Sequence, residues 1–142
     1  MNYKEILKTK TILLAEDDSG TRDVLSIILK VISGRLLLAK NGKEAYDLYK
    51  KYKPDIIISD INMPVMSGID FIKKLRIKDT KVPVVMLTAH TDTNYLLDAV
   101  KLMLTDYIIK PIELDKLLEV LHQCCEFLTL DTKKEIFLKN GL

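Results

Sequence analysis

The sequence predicts an α/β fold: a doubly wound, parallel five-stranded sheet in (βα)5 order, with helices on both faces. Three observations support this prediction. Short apolar runs alternate regularly with stretches of helical periodicity along the chain. The runs are almost continuously apolar, as expected for strands that are covered on both faces. With 142 residues, 48% of them apolar, the chain can build one core but is short for two.

The first half of the chain supplies three strands and two helices. A strand over Thr11–Ala15 precedes a helix over Asp18–Ile32, in which apolar residues recur at helical spacing. The predicted inner stripe of this helix is Val24, Leu25, Ile28, Leu29 and Ile32. A second strand, Arg35–Ala39, leads into a helix with an inner face of Ala45, Leu48, Tyr49 and Tyr52. Pro54 ends that helix, and the third strand is Ile56–Asp60.

The second half repeats the alternation. A helix over Ser67–Ile77 is followed by a strand over Val82–Thr88, and a shorter helix over Thr93–Lys101 precedes the last strand, Asp106–Ile109. A long amphipathic helix comes last. Its apolar positions are Leu114, Leu117, Leu118, Leu121, Cys124, Cys125 and Leu128.

The C-terminal residues follow this last core helix. We assign residues 1–128 to one domain and 129–142 to a C-terminal extension or linker. Thr132 and Glu135 have the spacing of a capping box, which would begin one short helix. A frayed linker end is the favoured interpretation, because chain termini are commonly poorly ordered.

Composition excludes several classes of function. The net charge is only +2 and the lysines are scattered, so a basic nucleic-acid surface is not indicated. No apolar run reaches the length of a membrane span, and the N-terminus lacks the apolar core of a signal peptide. Cys124 and Cys125 are adjacent on a helix, where a mutual disulfide would be strained. We therefore expect a reduced, cytoplasmic protein.

Polar residues collect where the predicted strands end. Glu16 and Asp17 follow the first strand, Asp60 ends the third, Thr88 ends the fourth, and Lys110 follows the fifth. The carboxyl ends of parallel strands share one edge of the sheet, where ligands bind in such folds. Carboxylates without neighbouring His or Cys favour a hard cation, Mg²⁺ or Mn²⁺.

These residue types together fit phosphoryl transfer onto an aspartate. An Asp side chain can attack phosphorus and form an aspartyl phosphate. The metal, Lys110 and the Thr88 hydroxyl would neutralise charge in the transition state. A simpler interpretation is that the acidic residues stabilise the N-terminus of the following helix by interacting with its dipole. Asp18 fits such a capping role better than a role as a metal ligand.

Four motifs carry a resemblance to a known family. They are LLAEDD at 13–18, ISDINMP at 58–64, MLTAH at 86–90 and DYIIKP at 106–111. From about Thr9 to Leu128 the chain resembles the receiver domains of two-component response regulators, the CheY-like family, which implies a flavodoxin-like fold. Each motif alone is weak, whereas four in order at predicted strand ends are highly specific.

The resemblance implies a role for each matching residue. Asp60 would accept the phosphoryl group, Asp17 would bind Mg²⁺ directly and Glu16 would bind it through water. The backbone carbonyl of Asn62 would bind the metal, and Lys110 and Thr88 would contact the phosphoryl group. Tyr107 would be the aromatic residue that moves in the switch, and His90 would border the pocket. The peptide bond before Pro111 would be cis.

The resemblance also implies a signalling domain rather than an enzyme. Its phosphodonor would be a histidine kinase or a histidine phosphotransfer domain. Its output partner is not specified by the sequence. Its signalling surface would combine the fourth helix, fifth strand and fifth helix. The same surface is a possible homodimer face. Met103-Leu104 stands where the family usually has Gly-Ala, and we expect both side chains to be exposed there.

Three alternatives stay open on the sequence alone. A degenerate receiver would act as a phosphorylation-independent interaction module, although the acidic pair, Asp60, Thr88 and Lys110 are all present. A phosphatase with an Asp nucleophile would carry DxDx[TV] after the first strand, where this chain has EDDSG. A flavodoxin-like cofactor binder would need a phosphate loop there, and three consecutive acids would repel a phosphate.

Overall fold

A parallel sheet of five strands forms the centre of the computed structural model, which describes residues 2–89 and 101–140. The strands are β1 (Thr11–Ala15), β2 (Arg35–Ala39), β3 (Ile56–Asp60), β4 (Val84–Thr88) and β5 (Asp106–Ile109). Their order is β2-β1-β3-β4-β5, and every neighbouring pair is parallel. The predicted fold class is confirmed, and β4 begins two residues later than predicted, after Pro83.

Helices cover both faces of this sheet. In the described residues they are α1 (Tyr3–Leu7), α2 (Ser19–Ile32), α3 (Gly42–Tyr52), α4 (Gly68–Arg76) and α5 (Leu114–Lys139). One core cluster joins the sheet to α1, α2 and α5, and the other joins it to α3 and α4. The predicted helix over Thr93–Lys101 lies outside the described residues except for its last position, and Lys101 and Leu102 are helical.

Two predicted inner positions of α2 and α3 face solvent instead, as does Leu114 at the start of α5. Val24 on α2 is 61% exposed, because Leu25 and Leu29 already fill the contact with the sheet. Tyr52, the last residue of α3, is also exposed, and the Arg35 guanidinium lies 4.5 Å from its ring centroid. Both residues therefore belong to the surface and not to the predicted stripes.

Helix α1 was not predicted, and it packs against α5. Asn2 caps it, Leu7 is buried in the core, and the Tyr3 ring stacks on His122 with 4.5 Å between ring centroids. Cys125 lies in the same contact, with its Sγ 3.8 Å from the Tyr3 carbonyl oxygen. The two cysteines are free and buried, as expected, and burial raises the pKa of Cys124 to about 12.

Helix α5 extends well past the predicted end of the core. The interpretation of residues after Leu128 as a frayed linker is wrong for the described part, because one uninterrupted helix runs to Lys139. Lys81 pairs with Asp131 and Glu135 of this extension at 3.8 and 3.6 Å. The division of the chain at residue 128 stays a prediction. The helices within residues 2–89 and 101–140 are too short or too polar to span a bilayer.

The Met103-Leu104 segment differs from the expectation in one of its two residues. Met103 is 48% exposed, as expected, but Leu104 is partly buried against the core. Met103 has φ 56°, the left-handed conformation that glycine adopts at helix C-termini. Arg76 donates hydrogen bonds to the carbonyl oxygens of Leu102 (2.9 Å) and Met103 (3.2 Å), which satisfies this end of the helix.

Replacing Met103 by Gly is therefore expected to stabilise the protein. A side chain at positive φ costs about 1 kcal/mol, and glycine removes that cost. The free energy of unfolding in urea should rise by about that amount. Met103→Ala is the matched control, since it removes the same side chain but keeps a Cβ, and it should not stabilise. Equal effects of the two variants would contradict the conformational explanation.

Candidate functional site

Three carboxylates meet at the carboxyl edge of the sheet. Glu16 and Asp17 follow β1, and Asp60 is the last residue of β3, the neighbouring strand. One oxygen from each of the three lies within 4.8 Å of the other two. Glu16 is fully buried and Asp60 is 8% exposed, whereas Asp17 is open to solvent. The predicted clustering of these residues is confirmed by their positions.

Lys110 joins the two buried carboxylates. Its ammonium nitrogen lies 2.7 Å from Glu16 Oε1 and 3.1 Å from Asp60 Oδ2. Burial lowers the pKa of Lys110, but the hydrogen bonds to Glu16 and Asp60 outweigh this and raise the pKa overall. The lysine therefore remains a cation between two acids, where it stabilises negative charge.

Glu16 is the most perturbed group of the cluster. Its burial raises its pKa from 4.5 to about 7, with a further contribution from neighbouring Asp60 and an opposing one from Lys110. Its Oε1 accepts from Lys110, but its Oε2 is buried without a hydrogen-bond partner among the described residues. A buried carboxylate oxygen without a hydrogen-bond partner costs free energy, and a nearby cation, reached through a water molecule, would offset that cost.

The donor set suits a hard divalent cation. The residues that lie together offer only carboxylate oxygens, and an open position remains on the solvent side at Asp17. Mg²⁺ and Mn²⁺ favour oxygen ligands and keep several positions for water or phosphate oxygens. The residues present therefore fit such an ion, and the orphaned Glu16 oxygen is the observation that supports the fit.

The loop after β1 is fixed by the first turn of α2. Asp18 caps this helix, and its Oδ2 accepts hydrogen bonds from the backbone N–H of Thr21 at 2.8 Å and its hydroxyl at 2.7 Å. These bonds hold the pKa of Asp18 below its usual value. Arg22 donates to the carbonyl oxygens of Glu16 (2.8 Å) and Asp17 (3.3 Å). Asp18 is thus a cap, as predicted, and Arg22 positions the acidic pair.

The remaining predicted residues surround this cluster. Thr88 ends β4 and is 6% exposed, and its carbonyl oxygen accepts from the Lys110 N–H at 2.7 Å. Tyr107 on β5 is 37% exposed, so its ring faces outward in this structure. The bond between Lys110 and Pro111 is cis. Asn62 is an exposed residue of the loop after β3, and His90 lies outside the described residues.

Gly68 is a site residue that the sequence did not reveal. A Cβ at this position would lie 1.8 Å from the Asp60 carbonyl oxygen, so the start of α4 packs directly on the backbone of Asp60. The Gly68 N–H also donates to the Ile61 carbonyl oxygen at 2.8 Å. Gly68 is the first residue of α4, and a glycine there gives no distinguishing sequence signal, because its close approach to Asp60 comes from tertiary packing.

Gly68→Ala should therefore destabilise the protein and displace Asp60. The new methyl group cannot fit without a backbone shift, and we expect a loss of about 2 kcal/mol in the free energy of unfolding. Gly20→Ala is the matched control, because a Cβ there meets its nearest atom at an ordinary 3.5 Å. Urea unfolding of both variants checks this, and equal stabilities would show that the contact at Gly68 is loose.

Comparisons with known proteins all point to one type of domain. The family model described as response regulator receiver domain matches residues 12–122. The chain is 32% identical over 125 residues to the regulatory protein AtoC of Escherichia coli, covering 88% of this chain and 27% of that protein. It is also 32% identical over 116 residues to the chemotaxis protein CheY of Listeria monocytogenes, covering 81% of this chain and 98% of that protein.

A solved structure agrees at the level of the fold. The chemotaxis response regulator CheY4 of Vibrio cholerae superposes with a TM-score of 0.75 at 30% identity, covering 82% of this chain and 98% of that one. Several relatives are much longer than this chain, which spans 27% of AtoC and 43% and 41% of two probable transcriptional regulators from Porphyridium aerugineum and Guillardia theta.

Proposed function

Because the chain belongs to the response regulator receiver domain family and acts in two-component signal transduction, we propose that Asp60 is its phospho-acceptor. The observation that carries this proposal is the environment of the Asp60 carboxylate. It is nearly buried, it lies 3.1 Å from the Lys110 ammonium, and it belongs to the only acidic cluster of metal-binding geometry within residues 2–89 and 101–140. No other aspartate in that part of the chain combines these features.

The proposed reaction moves a phosphoryl group from a phosphohistidine to Asp60. A carboxylate oxygen of Asp60 forms a bond to phosphorus while the bond from phosphorus to the donor's imidazole nitrogen breaks. The electron pair of the broken bond stays on the imidazole. Lys110 neutralises charge that develops on the phosphoryl oxygens, and the Thr88 hydroxyl at the end of β4 donates to one of them.

The proposal includes a divalent cation, Mg²⁺ or Mn²⁺. When bound, it supplies positive charge that offsets both the carboxylates and the phosphoryl oxygens. Asp17, Asp60 and the backbone carbonyl of Asn62 would hold it, with Glu16 acting through water. Arg22 keeps the backbone of Glu16 and Asp17 in place for this role, through its hydrogen bonds to their carbonyl oxygens.

Phosphorylation would then shift the surface next to the site. The modification adds roughly −1.5 to −2 charges beside Lys110 and Thr88, which gain contacts only in the phosphorylated state. The ring of Tyr107, which is 37% exposed in this structure, would turn inward when Thr88 moves toward the phosphoryl group. The resulting change in the face of β5 and its neighbouring helices is the signal that an output partner would recognise.

The partners and the location follow from the same proposal. The phosphodonor is a histidine kinase or a histidine phosphotransfer domain in the cytoplasm. The partner that receives the signal is an output domain or protein, since longer relatives such as AtoC are regulatory proteins of which this chain spans a fraction. The domain catalyses only its own phosphorylation and dephosphorylation and has no other substrate.

Phosphorylation of the purified protein by acetyl phosphate tests the proposal. Intact mass should increase by one phosphoryl group in the presence of Mg²⁺ and stay unchanged with EDTA. A gain that does not need metal would contradict the proposed role of the acidic cluster. The absence of any gain, from acetyl phosphate and from a panel of histidine kinases, would favour a phosphorylation-independent interaction module instead.

A further inference from the structure

The loop between β3 and α4, residues 61–67, contains a strained turn close to the acidic cluster. Val65 has φ 70°, a conformation that a β-branched residue rarely adopts. The Met66 N–H donates across Val65 to the Pro64 carbonyl oxygen at 2.9 Å, the bonding pattern of a γ-turn, which is rare when its middle residue has a positive φ. The Val65 side chain is 80% exposed, so burial does not impose this conformation. Such strain persists only where the surrounding structure enforces it.

The first residue of α3 holds this loop from the side. Strand β2 ends at Ala39 and α3 begins at Gly42, so the helix starts at the same carboxyl edge of the sheet as the acidic cluster. The Gly42 N–H donates to the Met66 carbonyl oxygen at 2.9 Å. An N–H in the first turn of a helix has no carbonyl partner within that helix, so this donor can serve the loop. Both backbone groups of Met66 are therefore bonded, one within the loop and one to α3.

This contact requires a glycine at position 42. A Cβ there would lie 2.3 Å from the Met66 carbonyl oxygen and 2.8 Å from that of Ser67. Both atoms belong to the backbone, so a side chain at position 42 would displace the loop rather than a flexible neighbour. The ends of the loop are joined separately, because the Gly68 N–H donates to the Ile61 carbonyl oxygen at 2.8 Å. Gly42 therefore fixes the part of the loop between these ends.

We propose that Gly42 is a positioning residue for the divalent cation. Through Met66, it holds the 61–67 loop in the strained conformation in which the backbone carbonyl of Asn62 binds the metal. This inference rests on the proposed function, in which that carbonyl is a ligand, and it explains why a strained turn is kept beside the site. The direction of a backbone ligand depends on the turns and contacts of the loop that carries it, so the contact at Gly42 sets the metal affinity.

Binding of Mn²⁺ to the unphosphorylated full chain tests the proposal without any phosphoryl transfer. Electron paramagnetic resonance counts the unbound ion, and the binding that Asp17→Asn removes is the binding at the acidic cluster. Gly42→Ala should weaken that binding about tenfold, because the loop must move. Gly34→Ala is the matched control, since a Cβ there would lie 2.4 Å from the Lys8 carbonyl oxygen, at the opposite edge of the sheet. It should lower the stability in urea and leave the Mn²⁺ affinity unchanged.

A second pair of variants changes the loop without touching α3. Proline cannot adopt a positive φ, so Val65→Pro forces the turn into another conformation and should also weaken Mn²⁺ binding about tenfold. Val65→Gly allows the same positive φ without strain and should bind Mn²⁺ like the wild type. The Val65 side chain is exposed, so both variants are expected to fold. This pair decides the proposal if Gly42→Ala does not fold.

The possible failures of this experiment are distinguishable. Wild-type affinity in folded Gly42→Ala or in Val65→Pro would overturn the inference alone, because the cation would then not depend on the conformation of the loop. An equal loss of affinity in Gly34→Ala would also overturn it, by assigning the effect to general destabilisation. A wild-type protein that binds no Mn²⁺ would overturn the proposed metal site and this inference together.

Discussion

Asp60→Asn is expected to remove essentially all phosphoryl incorporation from acetyl phosphate. Asparagine keeps the size of the buried side chain, but a neutral amide oxygen is a poor nucleophile and a weaker partner for Lys110. The variant should fold normally, because it removes one of two acids that lie side by side in a buried place. Intact mass after incubation with donor and Mg²⁺ measures the effect.

Asp47→Asn provides the control for this result. Asp47 is an exposed aspartate on α3, and its carboxylate lies 3.9 Å from the Lys50 ammonium. That variant should incorporate phosphoryl groups like the wild type. Normal incorporation in Asp60→Asn, with the same dependence on metal, would mean that another residue is the acceptor.

Lys110→Met is expected to have the second-largest effect, slowing phosphorylation about 100-fold. Methionine keeps much of the aliphatic length of lysine but removes the charge that lies between Glu16 and Asp60 and that, in the proposed reaction, would face the incoming phosphoryl group. Single-turnover rates with a saturating donor measure this loss. Lys116→Met is the matched control, because Lys116 pairs with Asp106 on the surface at 3.5 Å and should have no effect on the rate.

The same variant should change how stability depends on pH in the absence of metal. In the wild type, the folded pKa of Glu16 is about 7 against 4.5 when unfolded, so the folded state binds the proton more tightly. Stability from this group is therefore present at low pH and is lost as the pH rises from 4.5 through about 7. Without Lys110, which lowers this pKa, the loss should continue to higher pH. Urea unfolding at several pH values measures the free energy of unfolding of both proteins. Parallel curves of that free energy against pH would contradict the prediction.

The strands could be predicted because their signal is local and strong. Continuous apolar runs such as Thr11–Ala15 have few alternative structures in a chain of this size, and parallel packing follows from the helices between them. The site followed from the same logic, since residues that end parallel strands must share one edge of the sheet. Glu16, Asp17, Asp60 and Lys110 lie together for that reason.

Features that depend on tertiary contacts could not be predicted. Helix α1 has only five residues, too few to show a period, and it is held by the burial of Leu7 and the stacking of Tyr3 on His122. The outward direction of Val24 depends on which side of α2 meets the sheet, and a broad apolar helix does not specify that side. Gly68 became visible as a site residue only from its distance to the Asp60 backbone.

The extent of α5 illustrates a different limit. The position at the chain terminus favoured a frayed end, because termini are commonly poorly ordered, yet the helix continues to Lys139 with apolar side chains facing solvent.

Chemical localisation of the phosphoryl group tests the central claim most directly. After incubation with acetyl phosphate and Mg²⁺, borohydride reduces an aspartyl phosphate to homoserine, which marks the modified residue in a peptide mass spectrum. We expect homoserine at position 60 in the sample with metal and none in the sample with EDTA. Homoserine at another aspartate, with position 60 unchanged, would contradict the assignment of Asp60 as the acceptor.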